Sequence, residues 1–124
     1  MKEYSERRKL RKAYSAVAGD YVNFRIKANG IREPTGGTVR IVGQPDGSFK
    51  AHGLHPNHVV EWESIIRMSL ELTGTGTGHY RYIDDAGHTG AQALTFIPEK
   101  RCFIVTATSG IGDEFRHYWK RREA

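Results

Sequence analysis

Val60-Glu61-Trp62-Glu63-Ser64-Ile65-Ile66-Arg67-Met68-Ser69-Leu70-Glu71-Leu72 is the stretch whose reading decides the fold. Val60, Trp62, Ser64, Ile66, Met68, Leu70 and Leu72 fall on one parity, and Glu61, Glu63, Arg67, Ser69 and Glu71 on the other. Ile65 is the one apolar residue on the polar side. Successive strand side chains point to opposite faces, so a period of two marks a half-buried strand. Val59, Trp62, Ile66 and Leu70 also fit a helical stripe, which would make the domain α+β. The nearly unbroken alternation decides for the strand.

Outward from this stretch the same rhythm recurs from Tyr21 to Arg122, giving about eight short segments divided by turn residues. Tyr21–Lys27 places Val22, Phe24 and Ile26 on one face and Asn23, Arg25 and Lys27 on the other. Ala28–Gly37 reads as a loop, Thr38–Gly43 as a strand, and Gln44-Pro45-Asp46-Gly47 as a tight turn into Ser48–Gly53, with Pro presetting φ and Gly taking positive φ. Thr73-Gly74-Thr75-Gly76-Thr77-Gly78 reads either as a loop or as strand ends kinked by glycine. His79–Ile83, Ala91–Ile97, Arg101–Thr108 and Glu114–Arg122 complete the series. The connections after residue 36 are short, which makes sequential strands antiparallel neighbours. Such a meander closes on itself because closure alone removes both exposed edges. The expected fold is all-β: an antiparallel up-and-down β-barrel of about eight strands over residues 19–124. A basic helix over residues 1–18 precedes it, with Leu10, Tyr14, Val17 and Ala18 at helical spacing.

The chain length of 124 residues suits one domain with a core that needs no disulfide. A single cysteine, Cys102, excludes an intrachain disulfide and a cysteine-based zinc site. No apolar run reaches the roughly 20 residues of a membrane helix, and the N-terminus lacks the apolar segment of a signal peptide, so the expected location is cytoplasmic. The net charge of +5 sits at the ends: residues 1–12 hold six Lys/Arg against two acids, whereas residues 13–112 hold nine of each. A basic end steers anionic partners such as nucleic acid or simply solvates a helix face.

Gly19-Asp20-Tyr21 opens the first strand, and Tyr118-Trp119-Lys120-Arg121 lies in the last. In this respect the chain resembles the calycin barrels, which include lipocalins, fatty-acid-binding proteins and avidins. Those families typically open with Gly-x-Trp and carry a late Arg that packs across that first aromatic ring. Tyr21 stands here where Trp is usual, and the basic N-terminal helix is a second departure. The resemblance implies storage or transport of a small, mostly apolar molecule, although some barrels of this kind catalyse isomerisation or peroxide chemistry.

Taking the apolar faces as inward, the barrel lining includes Phe24, Ile41, Phe49, Trp62, Ile66, Met68, Leu70, Tyr80, Tyr82, Leu94, Phe96, Phe103, Phe115 and Trp119. Such a set reads either as a filled core or as an aromatic pocket with a few orienting polar groups. The expected ligand-binding residues are Phe49, Trp62, Ser64, Met68, Tyr80, Tyr82, Phe115, His117 and Trp119. His117 shares the face of Phe115 and Trp119, where an imidazole can hydrogen-bond a ligand or act as a base. Ser64 interrupts the apolar face of the long strand and can orient a ligand. The expected function is therefore a small-molecule binding protein that holds an apolar or amphipathic ligand in a barrel. Two alternatives stand beside it: a barrel isomerase or cyclase with His117 as base, and a small RNA-binding or ribonuclease-like domain. The latter would use the basic, aromatic C-terminal strand, since Tyr80-Arg81-Tyr82 and Arg116–Arg122 interleave rings with cations.

Other chemistries find little support. His52, His55 and His58 recur at spacings of three, and Asp84, Asp85 and His88 cluster, but neither group forms a recognised metal motif. Neither a metal nor a particular cofactor is assigned. There is no Gly-x-Ser-x-Gly elbow for a nucleophile, no Gly-Lys-Ser/Thr after the glycine-rich stretch, and Cys102 reads as a buried structural thiol.

Overall fold

A computed structural model describes residues 2–110 and 116–122. Helix α1 (Lys2–Val17) leads into eight strands: β1 (Gly19–Ile26), β2 (Arg32–Gly43), β3 (Phe49–Leu54), β4 (Val60–Leu70), β5 (Gly76–Asp84), β6 (Thr89–Ile97), β7 (Cys102–Gly110) and β8 (Arg116–Arg121). Each strand pairs antiparallel with the next, and β8 pairs with β1 to close the barrel. The expected up-and-down barrel with an N-terminal helix is the observed fold, and residues 60–70 form a strand. Two boundaries move by three residues or more. β2 begins at Arg32 inside the expected loop, because Phe24, Arg25 and Ile26 of β1 pair with Pro34, Glu33 and Arg32. β5 begins at Gly76 inside the glycine-threonine run, pairing with Leu70 on one side and Phe96 on the other.

Five of the turns share one hydrogen-bond pattern. In the β2–β3 turn, Gly47 N donates to the Gln44 carbonyl at 3.0 Å and Gln44 N to the Ser48 carbonyl at 2.9 Å. The pairs around Gly30, His58, Gly74 and Gly87 repeat it. This is the three-residue hairpin in which the last loop residue takes a left-handed conformation. Gly47 adopts it at φ 87°, and His58 adopts it without being glycine at φ 68°.

The core is a column of rings. Tyr21 lies 5.2 Å from Phe103, Phe103 lies 4.9 Å from Phe96 and 5.6 Å from Trp119, and Trp119 lies 5.9 Å from Trp62. Val39, Ile41, Ala51, Ile66, Leu94 and Val105 fill the spaces between them. The inner face of β5 is bare at Gly76 and Gly78, and the side chains of Leu70 and Met68 occupy that volume.

Helix α1 covers one end. Val17 is buried, Tyr14 stacks on Phe49 at 5.9 Å, and the Tyr14 hydroxyl donates to the Met68 carbonyl at 3.3 Å. Arg121 of β8 donates to the Ala16 carbonyl at 3.0 Å and sits with its guanidinium carbon 5.7 Å from the Tyr21 ring centre. The Tyr21 hydroxyl donates to the Val17 carbonyl at 2.5 Å. Burial, opposed by Arg121, pushes this phenol up to about 12. It therefore stays a neutral donor.

The first strand is the main departure from the expected lining. Tyr21 is buried in the core, and Asn23 and Arg25 continue the inward face. Phe24 points outward instead, where its ring lies 6.0 Å from Tyr118 while Arg32 covers the other ring at 3.9 Å. The apolar members of β1 thus cover the outer surface beside β8, because Tyr21 claims the interior and fixes the parity of the strand.

Gly53 faces Trp62 across the β3–β4 ladder, and a Cβ there would run into the indole. Gly53→Ala is expected to lose about 1–3 kcal/mol of stability by overpacking. Urea unfolding followed by tryptophan fluorescence measures this, and an unchanged midpoint would show that the indole moves aside freely.

Candidate functional site

The end of the barrel opposite α1 is open and holds a cavity of about 260 Å³. Its floor is aromatic. Trp62 stacks on Tyr80 with centroids 5.2 Å apart and planes 13° apart, and on Trp119 at 5.9 Å and 27°. Tyr82 leans against both Trp62 and Tyr80 at 6.5 and 6.4 Å. Around the rings stand Asn23 and Arg25 from β1, His117 from β8, Gln92 from β6, Glu61 from β4 and Asp84 from the end of β5. The polar groups sit here because inward parity runs past the end of the filled core: Tyr21, Asn23, Arg25 on β1 and Trp119, His117 on β8 climb from apolar to polar towards the mouth.

His117 is mostly buried, and its Nδ1 lies 3.2 Å from Asn23 Oδ1. A carboxamide oxygen only accepts, so Nδ1 carries the proton and Nε2 carries the lone pair. Burial and then the Arg25 guanidinium hold the His117 pKa below its ordinary value. The ring is therefore neutral at pH 7, with a fixed tautomer. Tyr80 is fully enclosed, and its hydroxyl donates to Gln92 Oε1. Burial pushes that phenol well above its ordinary value, so it remains protonated.

The rim carries one clasp between turns and one within a turn. His55, at the start of the β3–β4 turn, places Nε2 2.7 Å from Asp85 of the β5–β6 turn and Nδ1 3.9 Å from Glu61. The Asp85 hydrogen bond raises the His55 pKa. Within the β5–β6 turn, His88 Nδ1 lies 3.0 Å from Asp84 Oδ2, and His88 N donates to Asp84 Oδ1 at 2.8 Å. Burial works to raise the Asp84 carboxyl, but the His88 contacts and the Ala86 N–H hold it below the usual range.

Of the residues expected to bind a ligand, Trp62, Tyr80, Tyr82, His117 and Trp119 meet at this mouth. Phe49 and Met68 do not. Both are buried near the helix end, Phe49 under Tyr14 and Met68 against Gly76 and Gly78. Ser64 lies on the inner parity, but its hydroxyl donates to the Arg81 carbonyl where the β4–β5 ladder is interrupted, so it is committed to the sheet. Phe115 lies outside the described residues. Asn23, Arg25 and Gln92 were not expected. Their signal in the sequence was the two-residue spacing of Asn23 and Arg25 from Tyr21, masked by the more apolar face of the same strand.

Rings and cations that alternate in the sequence part company in the barrel. Tyr80 and Tyr82 line the interior while Arg81 is exposed, and Tyr118 is buried under Arg32 between the exposed Arg116 and Lys120. A shallower groove of about 1000 Å³ runs along the outer rim past Val60, Glu63, Arg81, Ile83 and Asp85 and opens widely to solvent. Among the described residues no group of three or more metal-ligating side chains comes together, and no helix is long and apolar enough to cross a membrane. Comparison with models of known protein families, with curated proteins and with solved structures yields no significant match.

His117 in the mouth and His55 on its rim move in opposite directions with pH. A folded-state pKa below the unfolded value of about 6.5 means that protons bind the unfolded chain better, so the His117 contribution to stability falls as pH drops below about 6.5. His55, raised in the folded state, contributes fully below about 6.5 and loses that contribution as pH rises through its folded pKa. Proton NMR titration is expected to place the His117 midpoint below and the His55 midpoint above 6.5, the ordinary histidine value. His117→Phe should lose less stability than the parent between pH ~6.5 and ~5, as read by urea midpoints.

Proposed function

We propose that this protein binds a small amphipathic molecule at the open mouth of its barrel, as calycin barrels do. The observation that carries the proposal is the arrangement of the mouth: stacked aromatic rings as floor, and Asn23, His117, Gln92 and Arg25 as a polar collar. Recognition sites are built in this manner, with aromatic walls for burial and a few fixed polar groups for orientation. The late Arg121 lying over the first aromatic, Tyr21, supports the calycin comparison residue by residue. Because rings fill the lower barrel, the ligand occupies the mouth, and 260 Å³ limits it to less than a drug-sized molecule.

Small-molecule binding is favoured over nucleic-acid binding because, among the described residues, Tyr80 and Tyr82 turn inward and the Tyr118 face is already covered, so the rings that alternate with cations in the sequence are not open for stacking. The catalytic alternative rests on the same histidine: a neutral imidazole oriented through Nδ1 has the form of a general base.

Naphthalene-sized aromatic probes should quench Trp62 and Trp119 fluorescence on binding. Tyr82→Ala should weaken that binding by about 0.5–1.5 kcal/mol through loss of one aromatic contact. Tyr14→Phe, at the helix end, should leave it unchanged. Absence of quenching in folded protein, together with salt-sensitive RNA retention that survives deletion of residues 1–12, would support the nucleic-acid reading instead.

A further inference from the structure

We infer that the mouth selects an uncharged planar ligand bearing a hydroxyl or ring N–H that donates to His117 Nε2, an inference that rests on the small-molecule reading above. Three features of the site converge on this chemistry. The first is the tautomer. Asn23 Oδ1 accepts a hydrogen bond from Nδ1–H, so the imidazole edge left for a ligand is an acceptor. Gln92 complements it from β6, two strands away. Its oxygen accepts from Tyr80, so its amide nitrogen is the group that would donate to an acceptor on a second edge of the ligand.

The second feature is shape. The planes of Trp62, Tyr80 and Trp119 lie within 35° of one another, so a flat ring system extends the stack where a globular one does not. A volume of 260 Å³ accommodates about two fused rings.

The third feature is charge. Arg25 stands on the His117 side of the mouth, and Glu33, opposite it in the β1–β2 ladder, pairs with Lys27 at 2.8 Å and lies also in the field of Arg25. Glu61 and Asp84 line the other side of the cavity, and both already raise the Tyr82 phenol, after its burial. A ligand carboxylate would meet these two acids in a partly desolvated site. A neutral hydroxyl avoids that repulsion and still reaches Nε2.

The test compares 2-naphthol, 2-methoxynaphthalene and 2-naphthoate by isothermal titration calorimetry on the full chain near pH 7.5. The methyl ether retains the oxygen and the rings but cannot donate. 2-Naphthol is expected to bind about two- to tenfold more tightly than the ether, the range of one neutral hydrogen bond, and 2-naphthoate most weakly. In His117→Phe the naphthol preference should vanish while the ether keeps its affinity. In Asn23→Leu, which releases the tautomer without touching the imidazole, the preference should shrink. Equal affinity for 2-naphthol and its ether in the parent protein overturns the inference, as does a preference that survives in His117→Phe or a preference for 2-naphthoate. If none of the three probes binds the folded parent, the small-molecule reading itself fails. The comparison within the parent chain needs no variant to fold.

Discussion

The seam between β1 and β8 is the constraint on which the rest of the structure depends. Arg121 spans it, lying over the Tyr21 ring while donating to the last turn of α1. One side chain therefore joins helix, first strand and last strand. The same seam closes the barrel, so among the described residues no strand is left with an unpaired edge. It also sets Tyr21 inside, and Asn23 and Arg25 follow on the inward face because successive strand side chains alternate. The polar collar at the mouth is a consequence of an anchor at the opposite end.

Filling the barrel from the helix end divides it into two regions of different character. Below Trp119 the volume is taken up by Phe103, Phe96, Tyr21 and aliphatic side chains, with glycines at 76 and 78 making room for Met68 and Leu70. Aromatic side chains bury large areas and interlock edge to face, so this region behaves as a rigid floor. Above it the strands continue but the inward residues become polar, and Asn23, Gln92 and His117 hydrogen-bond one another or the floor. These bonds fix their orientations, which would lower the entropy lost in binding the proposed ligand.

The outer surface has its own logic. Phe24, Tyr118 and Arg32 form a small external cluster, whereas Ile65 and Ile83 stand exposed on β4 and β5. Asp20 pairs with Arg40 across the outside at 3.0 Å, and Lys27 pairs with Glu33 at the open end at 2.8 Å. Exposed pairs of this kind contribute little to stability and keep the surface wet.

Much of this was legible in the chain. Alternation over 60–72, short turns rich in Gly, Pro, Asn and Asp, and the absence of long apolar or helical runs after residue 19 were enough for a sequential antiparallel barrel, since pairing order follows from connection length. Trp62, Tyr80, Tyr82, His117 and Trp119 were recognisable as a set because each lies on the apolar parity of its own strand. β1 was not legible in the same way. Both its faces carry aromatic or aliphatic residues, and hydrophobic count alone favoured Val22, Phe24 and Ile26, whereas Tyr21 under Arg121 reversed the assignment. Height along the barrel was equally hidden. Alternation says which residues face inward but not how far each sits from the helix plug, so Phe49 and Met68 could not be separated from the mouth. Local periodicity is a property of one strand, and the sequence by itself determined it. Which inward residues share one end depends on register and closure among all eight strands, and only the tertiary structure decided that.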